Sequence, residues 1–203
     1  MRRALPLALL LAAGCDDTEL PPGRILGTFS FEAELAPEAP GSCAFAGVPR
    51  RLAFEGILSH EPETGEAWMQ IDGTLRHGEL GGADFVLGLE PLPDGSVRTI
   101  PRRLPTCSCE LLLVETIRGR LVRTLGDCEE DPVEEEPGAA TCPRLDEAGA
   151  LDWDTCGAVC GAVEERVRFT TDDCTCEVDG ADVPAPAEGC TFFYAMQGTR
   201  IGS

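Results

Sequence analysis

The chain of 203 residues carries 16 basic and 36 acidic side chains, so its formal net charge at pH 7 is −20. This charge argues against binding to nucleic acid, because phosphate contacts need a basic face. Lysine and asparagine are absent from the sequence, which excludes Schiff-base and phosphate-loop lysines as well as N-glycosylation.

The first fourteen residues have the layout of a secretory signal peptide. A positive stretch at residues 1–3 is followed by an apolar run over residues 4–13, and the small residues Ala13 and Gly14 precede Cys15. The run is too short to cross a bilayer, which takes about 20 apolar residues. We therefore expect residues 1–14 to be removed on export.

The segment Leu-Ala-Ala-Gly-Cys at residues 11–15 resembles the lipobox of bacterial lipoproteins. In that family a dedicated signal peptidase cuts before the cysteine, which then carries lipid on its sulfur and its amine. The resemblance implies that Cys15 is lipidated and anchors the protein to the cell membrane or the outer membrane. The chain departs from the common pattern at Ala12, where the family has leucine, and the alternative is an ordinary signal peptide cut near Ala13. Residues 15–24 are predicted to form a lipidated tether.

From residue 25 onward the sequence predicts β-structure. Residues 28–35 alternate strictly, with Phe29, Phe31, Ala33 and Leu35 on one face. Further strands are predicted over residues 51–59, 66–72, 84–90 and 110–117. The turn at residues 60–65, the Asp72-Gly73 pair and the glycines between residues 78 and 82 are predicted to separate them.

The later part of the chain gives a weaker pattern. Residues 127–150 are acidic and contain prolines, and they predict a long loop inserted in the domain. A short helix capped by Asp154 is predicted over residues 152–163, and two last strands over residues 165–178 and 191–201. The fold class is therefore mainly β, an antiparallel sandwich or barrel with a long acidic loop and little helix. Residues 25–203 form one disulfide-bonded domain, which the insert can divide into two sub-modules.

Cysteine is abundant, and setting Cys15 aside for lipid leaves an even number. The ten candidates for disulfide bonds are Cys43, Cys107, Cys109, Cys128, Cys142, Cys156, Cys160, Cys174, Cys176 and Cys190. An oxidising compartment would allow five disulfides. Four of these cysteines precede the acidic residues 129–136 and six follow, and these even numbers allow two separately closed disulfide sets. Structural zinc is the alternative.

Two short motifs, Cys107-Ser-Cys109 and Cys174-Thr-Cys176, repeat the same spacing within the echo CSCEL and CTCEV. Side chains two apart on a strand point to the same face, so they are poorly placed to bond to each other. We expect the two cysteines of each motif to reach different partners.

Few residues suggest catalysis. The run Ser59-His60-Glu61 holds a nucleophile, a base and a carboxylate, but adjacent residues rarely converge in space. His77 is predicted in an exposed turn, and a metal site shared by His60 and His77 has no supporting spacing. Trp68 and Trp153 are predicted to pack in the core or at its rim.

The sequence therefore favours a non-catalytic, lipid-anchored cell-envelope protein with a binding or structural role. No catalytic residue, metal ligand or cofactor is assigned, no nucleic acid is expected, and the protein or small-molecule partner is left open. Its general character resembles cysteine-rich envelope lipoproteins of Gram-negative bacteria with GC-rich genomes. The alternatives are a lipocalin-like barrel that encloses an apolar ligand and an exported hydrolase that uses His60 or His77. A spare apolar cavity would distinguish the ligand-enclosing barrel from a filled core.

Overall fold

A computed structural model describes residues 20–43, 45, 47–128, 142–170 and 174–202. The expected signal peptide, Cys15 and the acidic residues 129–136 lie outside these ranges. Within the ranges, no helix has the length and apolar character needed to cross a membrane. The lipidation of Cys15 therefore stays a prediction.

Strands dominate the described chain. In chain order they are β1 (Arg24–Leu35), β2 (Arg51–His60), β3 (Glu66–Ile71), β4 (Thr74–Gly81), β5 (Asp84–Leu89), β6 (Ile100–Arg103), β7 (Glu110–Val122), β8 (Arg144–Leu145), β9 (Leu151–Asp152), β10 (Ala158–Thr170), β11 (Thr175–Val178), β12 (Ala181–Pro184) and β13 (Thr191–Gly202). Two short 3-10 helices, Leu125–Cys128 and Trp153–Thr155, flank the acidic stretch.

Eight of these strands close into an antiparallel barrel. Its order is β1-β2-β3-β4-β5-β7-β10-β13, and β13 pairs back with β1. Strands β6 and β5 pair with the same edge of β7. Strand β6 pairs with residues 110–113, and β5 pairs with residues 116–120. The prediction of a mainly β, disulfide-stabilised antiparallel fold is confirmed, and between sandwich and barrel the fold is a barrel.

The alternation of apolar residues explains the inward face of the barrel. Phe29, Phe31 and Ala33 are buried, as predicted for the first strand. Two aromatic rings fill space left by glycines on neighbouring strands. A Cβ atom at Gly198 would lie 2.5 Å from the ring of Phe31, and one at Gly119 would lie 2.4 Å from the ring of Phe85. Glycine is therefore required inside these strands by close packing.

Disulfides connect the segments at both ends of the barrel. At the lower end, which contains His60, Val122 and Ala158, the bridges are Cys128–Cys160 and Cys142–Cys156. At the upper end, which contains Leu35, Glu110 and Thr191, they are Cys43–Cys190, Cys107–Cys176 and Cys109–Cys174. Val48 and Leu104 are buried at the upper end, and Trp153 is buried at the lower end. Residues between the strands therefore cover both ends.

The pairing of cysteines excludes one possibility and agrees with one expectation. Two separately closed disulfide sets are not found, because every bridge except Cys142–Cys156 joins a cysteine before the acidic stretch to one after it. The strands on the two sides also belong to one barrel, so the insert does not divide the chain into two sub-modules. The two cysteines of each Cys-x-Cys motif do reach different partners.

Three local predictions are wrong for physical reasons. The helix over residues 152–163 is instead a 3-10 turn capped by Asp152, followed by β10, in which Val163, Glu165 and Val167 are buried at alternate positions, the period of a strand. The strand predicted over residues 165–178 is divided between the end of β10 and β11. Strand β4 occupies residues predicted as a glycine-rich turn, because Gly78 permits an approach in which a Cβ atom would lie 1.9 Å from the carbonyl oxygen of Val86.

The connectivity predicts how the chain behaves after one backbone cut. A recognition site for a specific protease, inserted within residues 130–138, would separate the segments that four disulfides join. After cleavage, we expect one band on a denaturing gel without reductant and two bands after reduction. The uncut variant is the control, and separation of the fragments without reductant would show that the bridges lie within each half.

Candidate functional site

The two histidines lie on opposite faces of the barrel wall. His60 is opposite Ala67 on the inner face, whereas His77 is opposite Trp68 on the outer face. The imidazole of His60 lies 5.4 Å from the ring of Trp153, and that of His77 stacks on Trp68 at 5.3 Å. The two side chains do not form a shared metal site, and His77 is in a strand, which corrects its prediction as an exposed turn residue.

The run Ser59-His60-Glu61 does not converge into a triad. Ser59 and His60 point to opposite faces of β2, and both are buried. Burial lowers the pKa of His60, against an opposing effect of Glu61. His77 has a carboxylate nearby, with its Nε2 atom 3.4 Å from Oε1 of Glu66. In the described residues, no group of three or more potential metal ligands is found.

Large side chains fill much of the barrel interior. Five aromatic residues that are at most 2% exposed point inward from three strands: Phe29, Phe31, Phe85, Phe192 and Tyr194. They pack in one cluster with aliphatic residues from the remaining strands of the wall. This packing supports a filled core over a spare apolar cavity. Trp68 and Trp153 are also buried, as predicted.

Four charged side chains lie on the inner face of the barrel toward its upper end. Arg76 donates from Nε to Oε1 of Glu115 at 2.6 Å. It also donates from Nη1 to the carbonyl oxygens of Ile71 at 3.1 Å and Thr74 at 2.8 Å. Arg102 forms a second ion pair with Glu165. We refer to Arg76, Arg102, Glu115 and Glu165 as the luminal charge cluster.

The position of Glu165 makes its ionisation unfavourable. Glu165 is only 1% exposed, and it lies directly opposite Glu115 in the pairing of β7 with β10. Burial raises the pKa of Glu165 to about 7, although Arg102 acts in the opposite direction, as Arg76 does to a smaller extent, and the nearby Glu115 adds to the rise. Burial also raises the pKa of Tyr194. Neither the Tyr194 hydroxyl nor Oε2 of Glu165 has a hydrogen-bond partner among the described residues.

A second feature lies on the outer wall, where β7 and β10 pair. A groove of about 340 Å³ runs across these strands, and we refer to it as the arginine groove. Its lining residues are Val97, Val114, Thr116, Arg118, Glu164, Arg166 and Arg168. Three guanidinium groups thus share the groove with one carboxylate.

Ion pairs only partly neutralise the arginine groove. Nη1 of Arg118 lies 3.6 Å from Oε1 of Glu164, and Nη1 of Arg168 lies 3.5 Å from Oε1 of Glu188. Arg166 has no carboxylate within ion-pair distance among the residues with described positions. Exposed ion pairs of this length hold their partners weakly, so the arginines can exchange them for another anion.

Another groove, of about 740 Å³, lies on the outer wall across β1, β13 and β10. It is lined by polar and acidic side chains that include Ser30, Glu32 and Glu34, and the 3-10 helix that ends at Cys128 forms part of its rim. In a chain with 36 acidic and 16 basic residues, a groove with acidic walls is expected from composition alone. The arginine groove has the opposite charge to the molecule as a whole, and it is therefore the stronger candidate for a site.

Sequence reasoning missed the arginine groove. The signal was present in the alternation Arg166-Val167-Arg168, because residues two apart on a strand share a face. These residues lie in the strand predicted over residues 165–178, but the pairing of β7 with β10 that adds Arg118 is not visible in the sequence.

The buried pair Arg76–Glu115 predicts a large effect on stability. The variant Glu115→Leu leaves a buried guanidinium without its carboxylate, so we expect the free energy of unfolding to fall by about 3–5 kcal/mol. The double variant Arg76→Met/Glu115→Leu should recover most of this loss. Denaturant unfolding measures the effect, and Asp84→Ala, at the exposed pair with Arg120, is a control with an expected change of about 0–1 kcal/mol. Equal losses at both sites would contradict the buried character of the first pair.

Glu165 predicts a decrease in stability as the pH rises. Its folded-state pKa of about 7 lies above the ordinary value of 4.5, so between these pH values the folded chain binds a proton that the unfolded chain has lost. The contribution of Glu165 to the free energy of unfolding should therefore fall by about 3 kcal/mol from pH 4.5 to pH 7. Thermal unfolding should show a smaller loss over this range in Glu165→Gln than in the unmodified protein. The comparison is needed because the lowered pKa of His60 has the opposite effect, and identical pH profiles would contradict the prediction.

No protein-family model, no curated protein and no solved structure matches the chain.

Proposed function

We propose that the protein is a lipid-anchored binding protein of the cell envelope that holds its partner on the outer wall of a closed barrel. The observation that carries this proposal is the filled interior, in which residues such as Phe31, Phe85 and Tyr194 occupy the space that an enclosed ligand would need. The outer wall offers grooves of about 340 Å³ and 740 Å³ instead. Grooves of these sizes suit a small molecule or a side chain of a protein partner.

The location rests on two separate lines of support. Five disulfides indicate an oxidising, extracytoplasmic compartment. The lipobox-like segment that ends at Cys15 supports anchoring to the membrane. Ten residues from Cys15 to Arg24 span at most about 35 Å when fully extended, so the tether would hold the barrel close to the lipid surface.

A non-catalytic role is supported by the positions of the histidines. His60 is buried beneath Trp153, and Ser59 points to the other face of the wall. The pair of His77 and Glu66 lies on the outer face, where the imidazole stacks on Trp68. A hydrolase that forms a covalent intermediate would need a nucleophile beside one of these bases.

A lipocalin-like barrel is the second candidate, because eight antiparallel strands that pair with neighbours in chain order also form ligand-enclosing barrels. Fluorescence titration with N-phenyl-1-naphthylamine, an apolar dye, separates the two. The filled interior predicts no saturable binding of the dye. Saturable binding that a bulkier inward residue, as in Ala67→Leu, abolishes without unfolding the barrel would favour the enclosed ligand and contradict the proposal.

The variant Cys15→Ser tests the anchor. We expect loss of incorporated palmitate and a shift of the protein from the membrane fraction to the soluble fraction, because serine cannot accept the thioether-linked lipid. The double variant Cys43→Ser/Cys190→Ser is the control, since it removes two other cysteines and one disulfide but keeps Cys15. Retention of Cys15→Ser in the membrane fraction, with palmitate still attached, would refute the lipid anchor.

A further inference from the structure

We propose that the lower end of the barrel docks by apolar contact on the lipid surface to which the chain is tethered. The side chains that would enter the interfacial layer of the lipid are Leu145 and Leu151, which lie opposite each other in the hairpin of β8 and β9. This inference rests on the proposed lipid anchor at Cys15, because it names the part of the barrel that contacts the membrane.

The tether joins the barrel at its lower end. Strand β1 begins at Arg24, which pairs with His60 at this end. A Cβ atom at Gly23 would lie 2.8 Å from the carbonyl oxygen of His60, so the chain just before β1 is held close to the barrel. From Cys15 to Leu20 the chain spans at most about 18 Å. Strand β1 rises roughly 30 Å between the two ends when its tilt is included, so the anchor reaches the lower end and not the upper end.

Exposed apolar side chains are concentrated near the same end. In the part of the chain that the structure describes, eight large apolar side chains are exposed, and half of them belong to segments at the lower end: Leu20, Leu145, Leu151 and Ile201. Leu145 is 68% exposed and Leu151 is 48% exposed. Because the two leucines are directly paired, they lie on one face of the hairpin as neighbours. Neighbouring exposed apolar residues mark a surface that contacts a partner or a membrane.

The hairpin of β8 and β9 is fixed to the barrel beside the tether. The disulfide Cys142–Cys156 closes the segment that contains the hairpin. Trp153, which follows β9 directly, is buried with its ring 5.4 Å from that of His60. Arg200, near the end of β13, donates from Nη1 to the carbonyl oxygen of Trp153 at 3.3 Å. Because His60 pairs with Arg24, the hairpin and the tether approach the same surface.

Charge favours a zwitterionic lipid surface over an anionic one, because a chain with a formal charge of −20 is repelled by anionic lipid. Three aspartates of the hairpin region are held against the protein. Asp146 accepts hydrogen bonds from two backbone amides of the turn, and Asp152 accepts one from the amide of Asp154. The carboxylate of Asp154 pairs with Arg200 at 2.9 Å. Glu147 is exposed in the turn. Attraction by charge therefore does not drive the docking, and the apolar contact of the two leucines does.

The test places one tryptophan at either end of the barrel. A histidine tag in place of residues 1–15 binds the chain to phosphatidylcholine vesicles that contain a nickel-chelating lipid, so the result does not depend on lipidation of Cys15. Leu145→Trp probes the hairpin. Val97→Trp is the matched control, because Val97 is also apolar and 56% exposed but lies in the connection between β5 and β6 at the upper end. Emission is compared between vesicles with and without brominated acyl chains, since bromine quenches tryptophan that enters the lipid.

We expect brominated lipid to quench the emission of Leu145→Trp and to leave Val97→Trp at the level of the unmodified chain, which corrects for Trp68 and Trp153. Adding Leu151→Gln to Leu145→Trp should reduce the quenching, because it removes the second apolar side chain from the same face. Thermal unfolding checks that each variant keeps the barrel intact.

Equal quenching at both ends, or no quenching at Leu145→Trp, overturns the proposal. Quenching that grows when phosphatidylglycerol replaces phosphatidylcholine also overturns it, in favour of attraction by charge. A dimer in solution that Leu145→Gln dissociates, without quenching on vesicles, would assign the two leucines to a second copy of the chain. Failure of the docking is distinguishable from failure of the anchor, because the Cys15→Ser variant tests lipidation separately.

Discussion

The pairing of β7 with β10 is the constraint on which the rest of the structure depends. These two strands lie on either side of the acidic stretch, and they pair from Leu111 opposite Thr170 to Val122 opposite Ala158. The pairing joins the strands before and after this stretch into one wall, and β13 pairs back with β1 to complete the barrel. On the inner face it sets Glu115 opposite Glu165, and on the outer face it sets Arg166 opposite Val114. The luminal charge cluster and the arginine groove are thus two sides of one strand pair.

The inner side of this pair combines unequal interactions. Arg76 and Glu115 are both buried and satisfy each other, with two backbone carbonyls accepting further hydrogen bonds from Arg76. Glu165 is more buried than its partner Arg102, whose side chain is 27% exposed, and its second carboxylate oxygen has no hydrogen-bond partner among the described residues. A buried ion pair contributes little net stability even when its geometry is good, because both charges lose their hydration. The apolar residues of the core therefore provide most of the stability of the barrel, and the charges limit which strand register is acceptable.

Much of the sheet was predictable from alternation, whereas the features that join distant segments were not. The strand that contains Phe29 and Phe31 was found because apolar and polar residues alternate without interruption. Strand β4 was missed because glycine signals a turn in a sequence, and the start of β10 was missed because residues 152–163 were interpreted as a helix. Gly78 and Gly161 here let neighbouring backbones approach closely. Disulfide connectivity, the ion pair of Arg76 with Glu115, and the arginine groove all depend on strand order, which local pattern does not contain. The histidines attracted attention by chemical type alone, and the fold places them on opposite faces of the wall.

The order of the disulfides along the chain has a consequence for how the protein is made. The five bridges are fully nested: Cys142–Cys156 lies within Cys128–Cys160, then within the two bridges of the Cys-x-Cys motifs, and all lie within Cys43–Cys190. As the chain crosses a membrane from its N-terminus, the first five of these cysteines arrive before any native partner. Oxidation at that stage can only join wrong pairs, which thiol–disulfide exchange must later undo. Maturation therefore depends on a disulfide isomerase, or on thiols staying reduced until the last strand has emerged.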